Sequence, residues 1–336
     1  MSDPVARLNA ALELNAQVVP GRWQKRRMLR PLSVLVVVFA LALSSCAVHA
    51  QLTEHQPKIL FDGGESPFDK QIYVMDPDGS HVQPLTGQPP GAISYNAFAA
   101  WSPDRQKIAF MSNRDGNPEI YVMAADGSDV QRLTRHRGVD KDPVWSPDGN
   151  QIAFVRDTDP PATGPVYPPS GNQSIYVMDS DGSNVQRLTE FETGGYTSWS
   201  PDGEQIAFEG NFDGIWEIYV MDADGSNVQR ITHTPVRDAG SFAPEWSPDG
   251  QKIVFDSTRD GNFEVYVMDA DGSNVQRLTH NDEADARAAW SPDGQRIVFH
   301  SYRDGRADIY VMDADGGNME RLTSNNPFDA HHPDWR

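Results

Sequence analysis

Trp246-Ser247-Pro248-Asp249-Gly250-Gln251-Lys252-Ile253-Val254-Phe255, continued by Tyr266-Val267-Met268-Asp269-Ala270-Asp271-Gly272-Ser273-Asn274-Val275-Gln276-Arg277-Leu278-Thr279, is one statement of a pattern that this chain repeats six times. The spacing is rigid. Trp to Phe is nine residues in all five complete copies, from Trp101–Phe110 to Trp290–Phe299. Tyr to Thr is thirteen in all six, from Tyr73–Thr86 to Tyr310–Thr323. The first copy starts late, at Lys58-Ile59-Leu60-Phe61, with no Trp segment before it, and the last stops at Pro333-Asp334-Trp335, followed only by Arg336. The missing front half and the surplus back half add up to one unit, which is the mark of a ring closed by its own two ends.

Each unit predicts four short strands. Gly or Pro interrupts every eight to twelve residues and the runs between them are β-branched and aromatic, so helices are excluded. The first strand ends at the Trp and the second is Ile-Ala-Phe or Ile-Val-Phe. The third, Ile-Tyr-Val-Met, is apolar at consecutive positions, so both of its faces must be covered. The fourth, Val-Gln-Arg-Leu-Thr, alternates and suits an exposed edge. Asp-Gly pairs make the turns: Asp271-Gly272 and its equivalents join strands three and four, and Asp249-Gly250 and its equivalents join strands one and two. Asp104-Arg105 lacks the Gly and predicts a mildly strained turn. Small sheets buried on both faces pack against one another by radial repetition. The fold class is therefore all-β: a six-bladed β-propeller of four antiparallel strands per blade, with the first blade completed by the C-terminal strand.

Trp-Ser-Pro-Asp-Gly followed by Ile-Tyr-Val-Met-Asp-Ala-Asp-Gly resembles the TolB-type propeller repeat across residues 58–336. The resemblance implies the same six-bladed ring and a docking role in the cell envelope that uses the mouth of the channel. The chain has no room for the separate N-terminal α/β domain of TolB.

Residues 1–27 read as an unstructured or misassigned extension, 28–46 as an export signal, 47–57 as a polar tether and 58–336 as the propeller. Arg22, Lys25, Arg26, Arg27 and Arg30 precede an apolar run from Leu32 to Leu43 that ends in Leu43-Ser44-Ser45-Cys46. A basic region, a short apolar stretch and small residues make a secretory signal, and the run falls short of the ~20 residues a spanning helix needs. Leu-Ser-Ser-Cys looks like a lipoprotein box, which makes Cys46, the one cysteine, the expected lipidation site; ordinary cleavage after Val48-His49-Ala50 is the alternative. With translation starting at Met28 the signal has normal length. The expected location is the periplasm or outer surface of a bacterium, with membrane contact through an N-terminal lipid.

Net charge is −20, and residues 1–50 carry six basic and two acidic residues, so −24 falls on the rest. A phosphate-backbone binder needs a basic stripe, so nucleic acid is not an expected partner. No Gly-x-Ser-x-Gly, His-Glu-x-x-His, phosphate loop or Cys pair occurs. An EF-hand read from Asp222 fails, because Asn227 and His233 stand where Gly and Glu are required. No cofactor, metal or catalytic residue is assigned.

The two families of connections differ in length. Asp-Gly turns are fixed, whereas the Thr-to-Trp connections run 15, 11, 10, 14, 11 and 12 residues and the Phe-to-Tyr distance doubles to 22 between Phe154 and Tyr176. Variation thus sits on one rim, the expected working face. On that face the starts of the inner strands bring charge to the channel mouth. Asp140, Asp142, Arg237, Arg287, His331 and His332 are the expected ligand-binding residues. The reading is a monomeric, non-catalytic platform for an envelope protein, peptide or glycan. The alternative is a metal-dependent polysaccharide lyase or hydrolase, because oligogalacturonate lyases use a similar propeller and His136, His233, His280, His331 and His332 share the variable rim.

Overall fold

The structure, a computed structural model, describes residues 56–66, 69–87, 94–158, 173–189, 193–235 and 239–336. The signal, Cys46, Arg237 and the Pro-rich insertion after Asp159 lie outside the described residues.

Among the described residues twenty-four strands form six four-stranded sheets. Blade one contains β1 (Ile59–Ser66), β2 (Asp69–Met75) and β3 (Gln83–Pro84), and is completed on its inner edge by β24 (Asp329–Trp335). The other blades run from inside to outside in chain order. Blade two is β4 (Asn96–Trp101), β5 (Lys107–Ser112), β6 (Glu119–Ala124) and β7 (Gln131–Arg132). Blade three is β8 (Val139–Trp145), β9 (Gln151–Asp157), β10 (Gln173–Asp179) and β11 (Gln186–Arg187). Blade four is β12 (Thr193–Trp199), β13 (Gln205–Gly210), β14 (Glu217–Asp222) and β15 (Gln229–Arg230). Blade five is β16 (Ser241–Trp246), β17 (Lys252–Ser257), β18 (Glu264–Asp269) and β19 (Gln276–Arg277). Blade six is β20 (Asp285–Trp290), β21 (Arg296–Ser301), β22 (Asp308–Asp313) and β23 (Glu320–Arg321). The outermost strands are only two residues long, shorter than the five-residue alternation suggested.

The ring is closed by the expected strand. Ile59 pairs with Trp335, and the amide of Lys58 donates to the carbonyl of Arg336 at 2.8 Å. Trp335 packs with Ile59, Phe61 and Met75 of its own blade and with Val298, Ile309 and Val311 of blade six. Each hydrophobic cluster is likewise a seam between neighbouring blades: Ile175 and Val177 of blade three meet Trp199, Ile206 and Phe208 of blade four. The landmark Phe on the second strand pairs with the landmark Tyr on the third, as in Phe255↔Tyr266, with centroids 5.7 Å apart.

Polar repeat residues lock the outer edge. In blade five the hydroxyl of Thr279 donates to Glu264 Oε2 at 2.5 Å and accepts the amide of Val265 at 2.9 Å, while Arg277 Nη2 reaches Glu264 Oε1 at 2.7 Å. Glu119, Glu217 and Asp308 do the same in blades two, four and six. These carboxylates are fully buried yet satisfied, the condition under which buried charge is tolerated. The Arg-Asp-Gly loops work by stacking. Arg259 lies 4.9 Å from the Tyr266 centroid, and Asp260 accepts that ring's hydroxyl.

Glycine at the turn of strands three and four has a steric reason. A Cβ on Gly272, at φ +85, would stand 2.2 Å from the carbonyl oxygen of Ile231 in the preceding blade. Arg105 takes φ 58 where its counterparts are glycines, the strained turn expected from Asp104-Arg105.

Candidate functional site

The six inner strands share one irregularity. Three residues before each Trp the backbone enters the left-handed region, at Phe98 (φ 55), Asp142 (φ 53), Tyr196 (φ 59), Ala243 (φ 47), Arg287 (φ 59) and His332 (φ 48). At each of these places the pairing with the second strand shifts register. These are β-bulges, which re-aim a side chain out of the regular pleat. A non-Gly residue at positive φ is uncommon, and six at one equivalent position form a ring of strained backbone of the kind that collects at binding sites.

The ring lines a cavity on the propeller axis with about 720 Å³ of empty space, its open end included. Apart from Arg336, the lining residues are the six bulge residues and those one or two places after them, such as Pro143, Ser198, Glu245 and Asp334. The cavity therefore runs from the ring toward the Trp ends of the inner strands, the rim of fixed turns. The expected working face was the other rim. The ring's own side chains crowd together at this level. Arg287 lies over the Tyr196 ring, its guanidinium carbon 3.2 Å from the centroid. Phe98 meets Tyr196 at 5.9 Å and His332 at 4.4 Å. Side chains from blades one, two, four and six thus converge at the level of the bulges.

Behind the ring stands a second layer, the residue after each landmark Phe. In three blades it is an acid that accepts the amide of the next blade's bulge. Asp62 accepts from Phe98 at 3.3 Å, Glu209 from Ala243 at 2.9 Å and Asp256 from Arg287 at 2.8 Å. Burial pushes the Glu209 and Asp256 carboxyls up to about 7, opposed by the charge of Arg287. Burial acts on Asp62 in the same direction but is outweighed by His332 and by Lys70 at 2.7 Å, which hold that carboxyl far below its ordinary range. In the other blades the layer is Met111, Val155 and His300. Nearer the Trp end, Glu245 Oε1 accepts the amide of Trp290 at 3.1 Å, and Asp334 Oδ2 that of Trp101 at 2.8 Å. Burial lifts Glu245 to about 8, against the charge of Arg336.

Of the expected site residues, Asp142, Arg287 and His332 meet in the cavity wall. Asp140 is buried and holds Arg156 Nε and Nη2, each at 2.7 Å. His331 packs beside His300, centroids 5.1 Å apart, outside the lining, and Arg237 lies outside the described residues. Phe98, Tyr196, Ala243, Glu245 and Asp334 were not anticipated. Counting back from each Trp finds all of them. Among the described residues no group of three or more His, Cys, Asp or Glu is arranged to hold a metal ion.

The family model described as TolB beta propeller domain matches residues 65–163 and 236–335. Over 90 residues the chain is 30% identical to the Tol-Pal system protein TolB of Alcanivorax borkumensis, an alignment covering 26% of this chain and 20% of that protein. The crystal structure of TolB from Acinetobacter baumannii superposes with a TM-score of 0.69 at 25% identity, covering 83% of this chain and 66% of that one. The structure of putative TolB from Agrobacterium tumefaciens gives 0.62 at 25% identity, covering 80% and 88%. The chain thus spans a fifth of the curated relative and about two thirds of the first of these structures.

Proposed function

Because the chain belongs to the TolB beta propeller domain family, we propose that it is an exported, non-catalytic docking platform of the bacterial cell envelope, taking a segment of a protein, peptide or glycan into its axial channel. The observation that carries this reading is the bulge ring. Six equivalent backbone positions hold six different side chains around an open cavity, while the seams between blades repeat. A purely structural plug would gain nothing from such variety, whereas recognition of one asymmetric guest requires it. The basic stretch, apolar run and Leu43-Ser44-Ser45-Cys46 support export and attachment by a lipid on Cys46.

The test is capture from detergent extracts of the producing cell's envelope by the purified protein and by Ala243→Trp. The equivalent bulges already hold Phe98 and Tyr196, so the backbone accepts an aromatic side chain there. A partner retained by the parent and lost by Ala243→Trp is expected; equal capture by both overturns the channel as the docking site. For the anchor, Cys46→Ser is expected to move the protein from the membrane to the soluble fraction.

A further inference from the structure

Six carboxylates stand on or behind the channel wall, and five accept a backbone amide or hold a cation at hydrogen-bonding distance. Asp62, Glu209 and Asp256 cap the bulge amides, and Glu245 and Asp334 cap Trp amides. Asp142 differs. Only 6% of it is exposed, it is a bulge residue lining the cavity, and neither of its oxygens has a hydrogen-bond partner. Its nearest cation is Lys141 Nζ, 3.6 Å from Oδ2, beyond hydrogen-bonding reach. The Arg287 guanidinium lies over the face of Tyr196 and makes no hydrogen bond to Asp142, although its Nη1 is itself buried without a partner. A buried carboxylate left in this state costs free energy until a donor reaches it.

The surroundings keep that carboxylate clear. A Cβ on Gly195 of the neighbouring inner strand would lie 2.7 Å from Asp142 Oδ2 and 3.4 Å from Lys141 Nζ, so any other residue there would displace the acid. Glu245 and Asp334 also line the wall between the ring and the Trp end, but burial raises both carboxyls and keeps Glu245 protonated at neutral pH, which leaves Asp142 as the acceptor for a cation. We infer that the channel seats a positively charged group of its guest, a lysine ammonium or an arginine guanidinium on a peptide segment, with Asp142 as its direct acceptor. This rests on the docking reading and gives it a chemical class. The ligand end must be slender, because the rings of Tyr196, Phe98 and His332 crowd together at the level of Asp142. A lysine or arginine side chain is an apolar stem with a charged tip, and the alanines and prolines of the lining suit such a stem.

The probes are three capped pentapeptides, Gly-Gly-X-Gly-Gly with X as Lys, Arg or Nε-acetyl-Lys, titrated calorimetrically into the parent, Asp142→Asn and Lys141→Met. Asn accepts positive φ, so Asp142→Asn keeps the bulge. Saturable binding of the Lys or Arg peptide is expected, weakened about tenfold or more by acetylation or by Asp142→Asn. Lys141→Met removes the competing cation and is expected to tighten binding several-fold, a gain that misfolding cannot mimic. Lys binding stronger than Arg, or the reverse, tells which cation the seat prefers. No saturable binding of either cationic peptide, or equal binding of the acetylated one, overturns the inference, as does undiminished binding by Asp142→Asn. Envelope capture separates the two readings. If Asp142→Asn retains the partner that Ala243→Trp loses, docking stands and the cation seat falls.

Discussion

The seams between blades and the ring around the axis use the same six-fold backbone in opposite ways. At the seams every blade carries the same residues: Trp at the end of the inner strand, a fully buried Phe on the second and a Tyr paired with it on the third. Three residues before the Trp every blade makes the same bulge and no two blades carry the same side chain. Repetition marks where one packing problem is solved six times over, and its failure marks where the problem is no longer symmetric. A single guest on the axis meets each blade once, so each blade can be asked for a different contact.

The contrast can be broken at the seam first. Deleting residues 324–336 removes β24, Trp335 and the seam between blades one and six; loss of cooperative unfolding, or aggregation, is the expected outcome in thermal melts. A truncated chain that melts with the full one would show that the repeated frame does not depend on closure. Next in size, Phe255→Ala is expected to cost about 3–5 kcal/mol by chemical denaturation, and Phe110→Ala and Phe299→Ala the same within about 1 kcal/mol. Unequal costs would mean the seams are less alike than their residues.

A smaller effect sharpens the other side of the contrast. Burial holds the Glu245 carboxyl at about 8 against an ordinary 4.5, so the folded chain keeps a proton that the unfolded chain has released. The resulting stability is complete below the unfolded value and is lost as pH rises through 8. Between pH 6.5 and 8.5 the melting temperature should therefore fall, by the equivalent of up to about 2 kcal/mol from this group. Glu245→Gln should flatten that slope. Asp256 and Glu209, held near 7, act in the same direction at the lower end of the window. A parent chain whose stability stays level over this range would remove the case for protonated acids in the channel.

The ring of blades was legible because its signals are local and repeated: the Trp-to-Phe spacing, the Asp-Gly turns, and the half-unit at each end that became β1 paired with β24. The channel was half legible. Asp142, Arg287 and His332 declared themselves by charge, but Phe98, Tyr196 and Ala243 read as ordinary strand residues. Asp140 and Asp142 show the obstacle most plainly. Two residues apart, they would share a face of a regular strand. The bulge between Lys141 and Val144 breaks that parity, leaving Asp140 on Arg156 and Asp142 on the axis. Charge spacing does not announce a bulge; the identical distance to the following Trp in every copy does. Loop length records where insertions are tolerated, while the depth of the cavity is decided by side chains inside the ring.

The pairing of β1 with β24 also governs how the molecule is made. Asp62 and His332 touch across 270 residues of chain. During translation blade one must wait, its innermost place vacant, until the other five have left the ribosome, and its completion is a contact of very high sequence separation. Such topologies fold slowly and keep a sticky edge on offer meanwhile.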